Sequence, residues 1–500
     1  MHYDAVIIGA GHNGLVAAAY LARAGRRVCV LESHEVIGGA SVSEHPWPGW
    51  TVSAASYVCS LLHPDIISDL DLPSHGYTAY RKAAASFTPL VDGRSLLLTR
   101  DDEANAREIA AFNKRDVDGY RSLEAERSRL GRLIFDAMND DAPSFEKFDA
   151  DSRSMFEASA ADFVERYVET PVLQAESVND GLIGTYAGPR TPGTGYVLAH
   201  HNAGRALGVQ GAWGFVRGGM GAIARAIASA AAAAGAEIRC SARAAHVLVR
   251  DGRAYGVALE DGTEFLATAV LSNADPKTTF LHLTPPDAVD DAFLQRVRGW
   301  SCTGVALKVN FALGELPDYT CRPGTNAQPH HSATIHVADS IGYLQTAYED
   351  ARGGSVSRAP LIECYMQSPT DDSIAPPGKH LLSVFAQYFP YDRGDGPWTS
   401  AQRNMAADGI IASLARFAPN LPGAVEARQI FAAPDLEQRF GLSGGHIFHG
   451  ELLPGQIFEK RFASRTPLQG LYLCGSGAHP GGCVTGSPGY RAARAVLADA

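Results

Sequence analysis

Ala5-Val6-Ile7-Ile8-Gly9-Ala10-Gly11-His12-Asn13-Gly14 opens the chain and decides its fold. The run from Ala5 to Ile8 is short, apolar and rich in β-branched residues, which predicts a buried parallel strand. Residues 15–24 are strong helix formers, and Gly25 follows them at the position where helices commonly end. A second apolar run, residues 27–31, leads to Glu32. This order of strand, glycine loop, helix, strand and acid predicts a βαβ unit that binds a dinucleotide.

Each glycine of the first loop has a separate physical role. Gly9 permits the tight turn that leaves the strand, and Gly11 lets the backbone approach a pyrophosphate closely. Gly14 lets the helix pack against the strand, so that the free N–H groups of the first helical turn face the phosphates. Glu32 lies eighteen residues beyond Gly14, where its carboxylate can accept hydrogen bonds from ribose hydroxyls.

A second glycine pair, Gly38-Gly39, follows Glu32 and is followed by Ala40. A nicotinamide dehydrogenase does not need this pair, whereas a lengthwise-bound FAD needs a second close approach of the backbone to its pyrophosphate. The pair therefore favours FAD, with an ordinary turn as the alternative.

The composition limits the classes of protein to which the chain can belong. Its 500 residues exceed one simple core and predict two or more domains. A net charge of −11 without long blocks of like charge argues against nucleic acid and anionic membranes as partners. No run approaches the length of a spanning helix, and the first strand begins almost at Met1, so we expect neither a spanning segment nor a targeting peptide. The eight cysteines show no CxxC pair, so we expect reduced thiols and a cytoplasmic protein.

The middle of the chain predicts a second, substrate-covering region. Residues 102–138 carry apolar positions at helical spacing, and a long helix is expected near residues 400–417. Four stretches alternate in strand fashion and suggest an antiparallel sheet: residues 303–312, 332–338, 359–366 and 380–388. Between the helical and strand-rich parts, Gly219, Gly221 and Ala224 imitate a second dinucleotide fingerprint. We reject that interpretation because residues 211–217 do not form a buried apolar strand pattern.

The C-terminal end repeats the arrangement of the N-terminal one. Residues 470–475 predict a strand that runs into a glycine-rich loop, Ser476-Gly477-Ala478-His479-Pro480-Gly481-Gly482-Cys483-Val484. A final helix, residues 488–497, closes the chain. Its N-terminus can face a flavin ring and stabilise negative charge on the reduced form.

Together these residues resemble the phytoene-dehydrogenase-like flavoproteins, relatives of bacterial carotenoid desaturases. The resemblance rests on the glycine loop at residues 9–14 with Glu32 and Gly38-Gly39, and on three further stretches at residues 217–221, 272–276 and 475–482. Residues 181–185 and 445–451 resemble the branch called pyridine nucleotide-disulphide oxidoreductase domain protein two. The matches extend from residue 5 to residue 494.

The resemblance implies an α/β fold: a discontinuous Rossmann-type FAD-binding domain, glutathione-reductase-like, with an inserted α+β substrate domain. The predicted division assigns residues 1–80, 210–300 and 425–500 to the FAD-binding domain and residues 81–209 and 301–424 to the substrate domain. It also implies a set of FAD contacts: Gly9, Gly11, His12, Asn13, Gly14, Glu32, Gly38, Gly39, Ala40, Val247, Gly475, Ser476, Gly482 and Val484. Cys483 departs from the pattern, because glycine is expected there.

The function implied is that of an FAD-dependent oxidoreductase. A hydride passes from a C–H bond of a small apolar substrate to flavin N5, a base or solvent takes a proton, and a double bond forms; the electron acceptor is open between O2 and a quinone. The candidate catalytic groups are His446, His449, Glu451 and His479. A metal site is not expected, because the histidines of residues 446–449 have no third ligand nearby.

Three alternatives stay open from the sequence alone. Two are enzymes on the same fold, a flavin amine oxidase and a flavin-dependent isomerase. The third is a binding protein without redox activity, like the Rab escort and GDP-dissociation-inhibitor proteins.

Overall fold

The strands and helices alternate along the N-terminal part of the chain, as the glycine pattern predicts. The computed structural model describes residues 2–500. Its strands are β1 (His2–Ile8), β2 (Val28–Leu31), β3 (Ser43–Glu44), β4 (Val52–Ser53), β5 (Ala79–Arg81), β6 (Ser86–Pro89), β7 (Ser95–Leu98), β8 (Gly214–Val216), β9 (Glu237–Arg239), β10 (Ala244–Arg250), β11 (Arg253–Leu259), β12 (Glu264–Ser272), β13 (Ala306–Leu313), β14 (Thr334–His336), β15 (Leu361–Tyr365), β16 (His380–Gln387), β17 (Val425–Phe431) and β18 (Leu471–Leu473). Its α-helices are α1 (His12–Arg23), α2 (Pro64–Asp69), α3 (Asp102–Ala110), α4 (Asp116–Asn139), α5 (Ala150–Glu157), α6 (Ala160–Val164), α7 (Pro171–Asn179), α8 (Thr194–His201), α9 (Gly221–Ala233), α10 (Asp291–Arg298), α11 (Ile341–Arg352), α12 (Ser400–Ala415), α13 (Leu421–Ala424), α14 (Ala433–Phe440) and α15 (Ser487–Asp499).

The first sheet is built around β1. Its order is β10-β11-β12-β1-β2-β9, and β18 pairs with β12. Strands β12, β1, β2, β9 and β18 run parallel, whereas β10 and β11 form an antiparallel meander. Helices α1, α9 and α15 pack together on one face through small residues of their buried sides. The predicted Rossmann-type arrangement, in which distant parts of the chain rejoin one sheet, is confirmed.

The second sheet contains the four alternating stretches of the middle of the chain. Its order is β17-β13-β16-β15-β14-β6-β7, and its neighbours are antiparallel except for β14 and β6. Strand β17, residues 425–431, pairs with β13 in this sheet, whereas the predicted division grouped it with the first. The division into domains itself stays a prediction.

One expectation about local structure is wrong. Residues 214–216, inside the stretch thought not to form a strand, are the buried strand β8, which pairs antiparallel with β5. The rejection of a second dinucleotide loop still has a structural basis. The first N–H groups of α9 are used within the protein, because Met220 donates to Ser53 Oγ at 3.0 Å and Gly221 donates to Ser43 Oγ at 2.9 Å.

Three further features concern the described residues 2–500. None of their helices combines the length and apolar character that crossing a bilayer requires. All eight cysteines are free thiols. No group of three or more histidine, cysteine, aspartate or glutamate side chains in this range is arranged to hold a metal ion. The cytoplasmic location stays a prediction.

Candidate functional site

A cavity extends from the carboxyl ends of β1 and β2 to the second sheet. Its walls come from both sheets and from the C-terminal glycine loop. Of the predicted cofactor contacts, the structure places the following in the wall: Gly9, Gly11, His12, Asn13, Glu32, Gly39, Ala40, Ser476 and Val484. These residues are far apart in the sequence, so the fold brings them to one place.

The two glycine loops at this end of the cavity touch each other. Gly9 has a φ of +94°, which a non-glycine residue adopts only with strain. A Cβ on Gly14 would lie 2.2 Å from the Gly9 carbonyl oxygen, and a Cβ on Gly39 would lie 3.3 Å from Gly11 Cα. The two loops therefore pack directly on each other, and Gly9, Gly11 and Gly39 line the cavity, where a pyrophosphate can approach their backbone.

Glu32 lies at the tip of β2 and is 6% exposed. Its Oε2 accepts a hydrogen bond from Ala10 N at 2.7 Å, and its Oε1 accepts one from His34 N at 3.0 Å. The carboxylate is therefore fixed beside the first glycine loop. Its predicted contact with a ribose stays a prediction.

The polar atoms of the wall test whether the cavity fits FAD. Six buried side-chain atoms that belong to residues of the wall have no partner within the described protein: His12 Nε2, Asn13 Oδ1, Ser56 Oγ, Ser60 Oγ, Trp213 Nε1 and His449 Nδ1. Buried polar groups in proteins are almost always hydrogen-bonded, so this concentration fits a large polar ligand. Helix α1 begins at His12, and its N-cap residue Gly11 offers no side-chain cap; with no acid in the first turn, this helix end suits an anionic phosphate.

Five predicted contacts lie outside this wall, namely Gly14, Gly38, Val247, Gly475 and Gly482. Gly14 and Gly38 pack against the backbone of their own loops, near Gly9 and Val42 respectively. A Cβ on Gly475 would meet the Asn273 carbonyl oxygen at 2.5 Å, and one on Gly482 would meet the Phe448 ring at 2.3 Å. Val247 is 1% exposed in the core beside β11. Direct contacts of these residues with FAD stay predictions.

The four predicted catalytic groups do not all face the cavity. Of these, His449 alone lines the cavity, and its backbone φ is +56°. Burial lowers the pKa of His449 to about 4, so its imidazole is neutral near pH 7. His446 and Glu451 lie behind it, with His446 Nε2 3.3 Å from Glu451 Oε1. His479 is buried against Phe458, and burial lowers its pKa to about 3.

Cys483 lines the cavity where the resemblance implies a glycine. Its φ is +69°, the conformation that a glycine adopts freely, which explains the expectation. The Sγ atom lies 3.9 Å from His200 Nε2. Burial raises the pKa of the thiol to about 12.

Sequence reasoning missed Lys308, a buried lysine in the wall of the cavity. Strand β13 alternates, so Ala306 and Lys308 face the cavity while Leu307 and Val309 enter the core of the second sheet. Lys308 Nζ donates to Ser383 Oγ at 2.7 Å and to Asn310 Oδ1, and it lies 5.6 Å from the centre of the Tyr57 ring. Burial lowers its pKa to about 7. A signal was present: a lysine and an asparagine two residues apart on one face of an otherwise apolar strand.

Arg461 was also missed, and it joins the two loops that close the cavity. It is 3% exposed and donates to the carbonyl oxygens of Phe448, Glu451, Gln456 and Ser476. One guanidinium therefore holds the loop of His446 and His449 against the C-terminal glycine loop. No local pattern in the sequence indicates these long-range partners.

Comparison with known proteins assigns the chain to a family. The family described as flavin containing amine oxidoreductase matches residues 14–497. The mouse pyridine nucleotide-disulfide oxidoreductase domain-containing protein 2 is 40% identical over an alignment of 543 positions, and the match covers 99% of this chain and 94% of the mouse protein. The lycopene-forming phytoene desaturase of Pseudescherichia vulneris is 28% identical over an alignment of 512 positions, and the match covers 96% of each chain. The predicted resemblance to the phytoene-dehydrogenase-like flavoproteins and to this branch is confirmed.

A solved structure of a putrescine oxidase variant shares the fold, with a TM-score of 0.65 and 16% identity over 100% of both chains. This likeness concerns the fold alone. The family, the cavity and its unpartnered polar atoms agree on one cofactor, FAD. The chain is an FAD-dependent oxidoreductase and belongs to the flavin-containing amine oxidoreductase family.

Proposed function

We propose that the chain is a dehydrogenase of the desaturase type, which forms a carbon–carbon double bond in a small apolar substrate. The observation that carries this proposal is the inner end of the cavity. Beyond the glycine loops its wall is mainly apolar and aromatic: Tyr57, Leu61, Ile183, Trp213, Ala306, Phe385 and Phe448. Such a wall binds a hydrocarbon skeleton and excludes water from the reacting atoms.

Bound FAD would supply the hydride acceptor. The protein itself positions the substrate and accepts the proton that the substrate loses. Tyr57 and Phe385 pack together with ring centres 5.5 Å apart and form one side of the inner cavity. His449 Nδ1, which has no partner among the described residues and belongs to a neutral imidazole, is the group we propose to accept a hydrogen bond or the proton of the substrate.

The similarity to phytoene desaturase supports carbon–carbon desaturation, because that relative is named for this reaction. The likeness to putrescine oxidase makes amine oxidation the main competitor. Dioxygen and a quinone are the two classes of electron acceptor that we propose to assay. We also propose that the enzyme is cytoplasmic.

The test is anaerobic reduction of the enzyme-bound flavin. The purified protein is mixed with apolar alkenes, cyclic ketones and amines in turn, and the visible band of the oxidised flavin is followed. Bleaching by an alkene or a ketone, with the double-bonded product identified, is the expected result. Bleaching by amines alone contradicts the proposal and establishes amine oxidation. Isomerised product without net use of an acceptor identifies an isomerase, and a colourless protein points to a binding protein.

A further inference from the structure

Asn273 lies where both glycine loops leave the first sheet. Strand β12 pairs in parallel with β1 on one side and with β18 on the other, and Asn273 directly follows β12. Its backbone N–H donates to Ile8 O at 2.9 Å, and its carbonyl oxygen would lie 2.5 Å from a Cβ on Gly475. Ligands of open α/β sheets bind at the carboxyl ends of the strands. One residue therefore packs on the start of both loops, at the end of the sheet that faces the cavity.

The side chain of Asn273 packs against the first glycine loop. Its amide Nδ2 donates to Gly9 O at 3.4 Å, and its Cβ would lie 3.4 Å from a Cβ on Gly9. The φ of Gly9 is +94°, so the accepting carbonyl belongs to the turn by which the chain leaves β1. Asn273, Gly9 and Gly11 all line the cavity. The amide therefore contacts the loop at the place where this fold binds a pyrophosphate.

Gly11 and Gly14 differ in the group that excludes a side chain from each. A Cβ on Gly14 would lie 2.2 Å from the Gly9 carbonyl oxygen, so the backbone of the loop itself requires that glycine. A Cβ on Gly11 would instead meet the Asn273 amide, with Nδ2 at 2.7 Å and Cγ at 3.8 Å. A carbon atom does not approach an amide nitrogen as closely as 2.7 Å. The missing side chain of Gly11 thus leaves the space that Asn273 fills.

We propose that Asn273 is a positioning residue for FAD, and that Gly11 is a glycine because the Asn273 amide occupies the space of its side chain. The amide holds the first loop in the conformation that receives the pyrophosphate. An asparagine suits this place because it donates to a carbonyl oxygen without adding charge. An ionised aspartate has the same shape but can only accept, and it would bring a negative charge towards the phosphates. The inference concerns the cofactor and does not depend on the substrate proposed above.

The experiment measures how fast FAD leaves the loaded enzyme. The FAD-saturated protein is diluted into cofactor-free buffer, and the flavin that passes an ultrafilter is measured over time. We expect Asn273→Ala to release FAD about fivefold faster than the wild type, because it removes one hydrogen bond between neutral groups. Asn273→Asp, which keeps the shape of the side chain, should release FAD faster still, since its charge repels the pyrophosphate.

Asn420→Ala is the matched control. Asn420 Nδ2 donates to Leu316 O at 3.0 Å and its Oδ1 accepts from Asp318 N at 2.8 Å, all outside the cavity wall. The substitution should lower the temperature of thermal unfolding at least as much as Asn273→Ala does, yet leave the release of FAD unchanged. The comparison separates a role towards the cofactor from a merely structural one.

Gly11→Ala tests the second half of the proposal in two backgrounds. With Asn273 present, the added methyl group meets the amide and the loop must shift, so FAD release should be about tenfold faster. In the Asn273→Ala background the space is open, and the same substitution should change the release by less than about threefold. Thermal unfolding shows whether each variant has folded. Asn273→Ser, which also shortens the side chain, replaces Asn273→Ala if that variant does not fold.

Two results would overturn the proposal. Release of FAD from the folded Asn273 variants at the wild-type rate would remove Asn273 from cofactor binding, and the isosteric Asn273→Asp makes this result readable by itself. An equal effect of Gly11→Ala in the two backgrounds would mean that FAD alone requires this glycine. The measurements need no turnover, so a flavin that no substrate reduces counts against the proposed function alone.

Discussion

His449 combines the properties expected of a group that handles a proton beside the cofactor. It lines the cavity, its Nδ1 has no partner among the described residues, and burial keeps the imidazole neutral. His446 and Glu451 belong to the same loop and do not line the cavity, so we expect them to act through the position of His449. The roles of all four predicted catalytic groups stay predictions until the variants are measured.

We predict that His449→Ala lowers the rate of flavin reduction by about a hundredfold, the lower end of the range for general acid–base catalysis. Rapid mixing of the anaerobic enzyme with its substrate measures this rate. His246→Ala is the control, because His246 is an exposed histidine on β10 and should leave the rate unchanged. Unchanged reduction by the His449 variant would remove this residue from the mechanism.

Cys483 is expected to be unreactive although it lies beside the cofactor site. Burial raises its pKa to about 12, so only about one thiol in ten thousand is ionised near pH 8. Cys240 is exposed. We predict that iodoacetamide at about pH 8 labels Cys240 first and leaves Cys483 unmodified, as peptide mass spectrometry will show. Cys240→Ser should abolish the early label, and rapid labelling of Cys483 would show that its thiolate is stabilised.

At the scale of the element, Arg461 determines how the loop after α14 meets the C-terminal glycine loop. Its guanidinium donates to Phe448 O at 2.6 Å on one side and to Ser476 O at 2.7 Å on the other. Neither loop contains regular structure that would fix it by backbone pairing along this contact. A planar fork of donors is suited to several carbonyl oxygens at once, and a lysine cannot replace it.

We predict that Arg461→Met destabilises the protein by about 3–5 kcal/mol, because it leaves buried carbonyl groups without donors. Thermal unfolding and the fraction of FAD retained after gel filtration measure the effect. Arg465→Met is the control: Arg465 pairs with Asp499 at the surface and should cost less than about 1 kcal/mol. Equal losses in the two variants would contradict the role given to Arg461.

The elements that sequence predicts well are those whose signal is local. The strand at residues 306–313 and the helix at residues 400–415 follow from alternation and helical periodicity within a few residues. Lys308 was missed although a lysine and an asparagine share one face of its strand, because its burial depends on Tyr57 and Ser383, which are distant in the sequence. Strand β8 was missed for a related reason, since a three-residue strand that begins with a glycine carries almost no periodicity and is fixed by its pairing with β5.

At the scale of the whole molecule, buried histidines make stability depend on pH. His200 and His479 lie in the interior, and burial lowers the pKa of each below its ordinary 6.5, to about 3 for His479. Between the folded and unfolded pKa values the unfolded chain binds more protons, so this stability is fully present above about pH 6.5 and is lost as the pH falls. His336 has the opposite sign: burial lowers its pKa, but the hydrogen bond and the charge of Glu363, with neighbouring acids, outweigh burial and raise the pKa. Its contribution is full below about pH 6.5 and is lost as the pH rises.

We therefore predict that acid unfolds the protein well before its surface carboxylates titrate. Each deeply buried imidazole such as His479 costs about 2 kcal/mol on going from about pH 6.5 to about pH 5, and a typical protein has only about 5–15 kcal/mol to lose. Thermal unfolding followed by circular dichroism at steps of pH measures the loss. His479→Asn removes one imidazole that must take up a proton on unfolding, so its melting temperature should fall less steeply over this interval than that of the wild type. Parallel pH profiles for the two proteins would mean that His479 is already protonated in the folded state, against its burial beside Phe458.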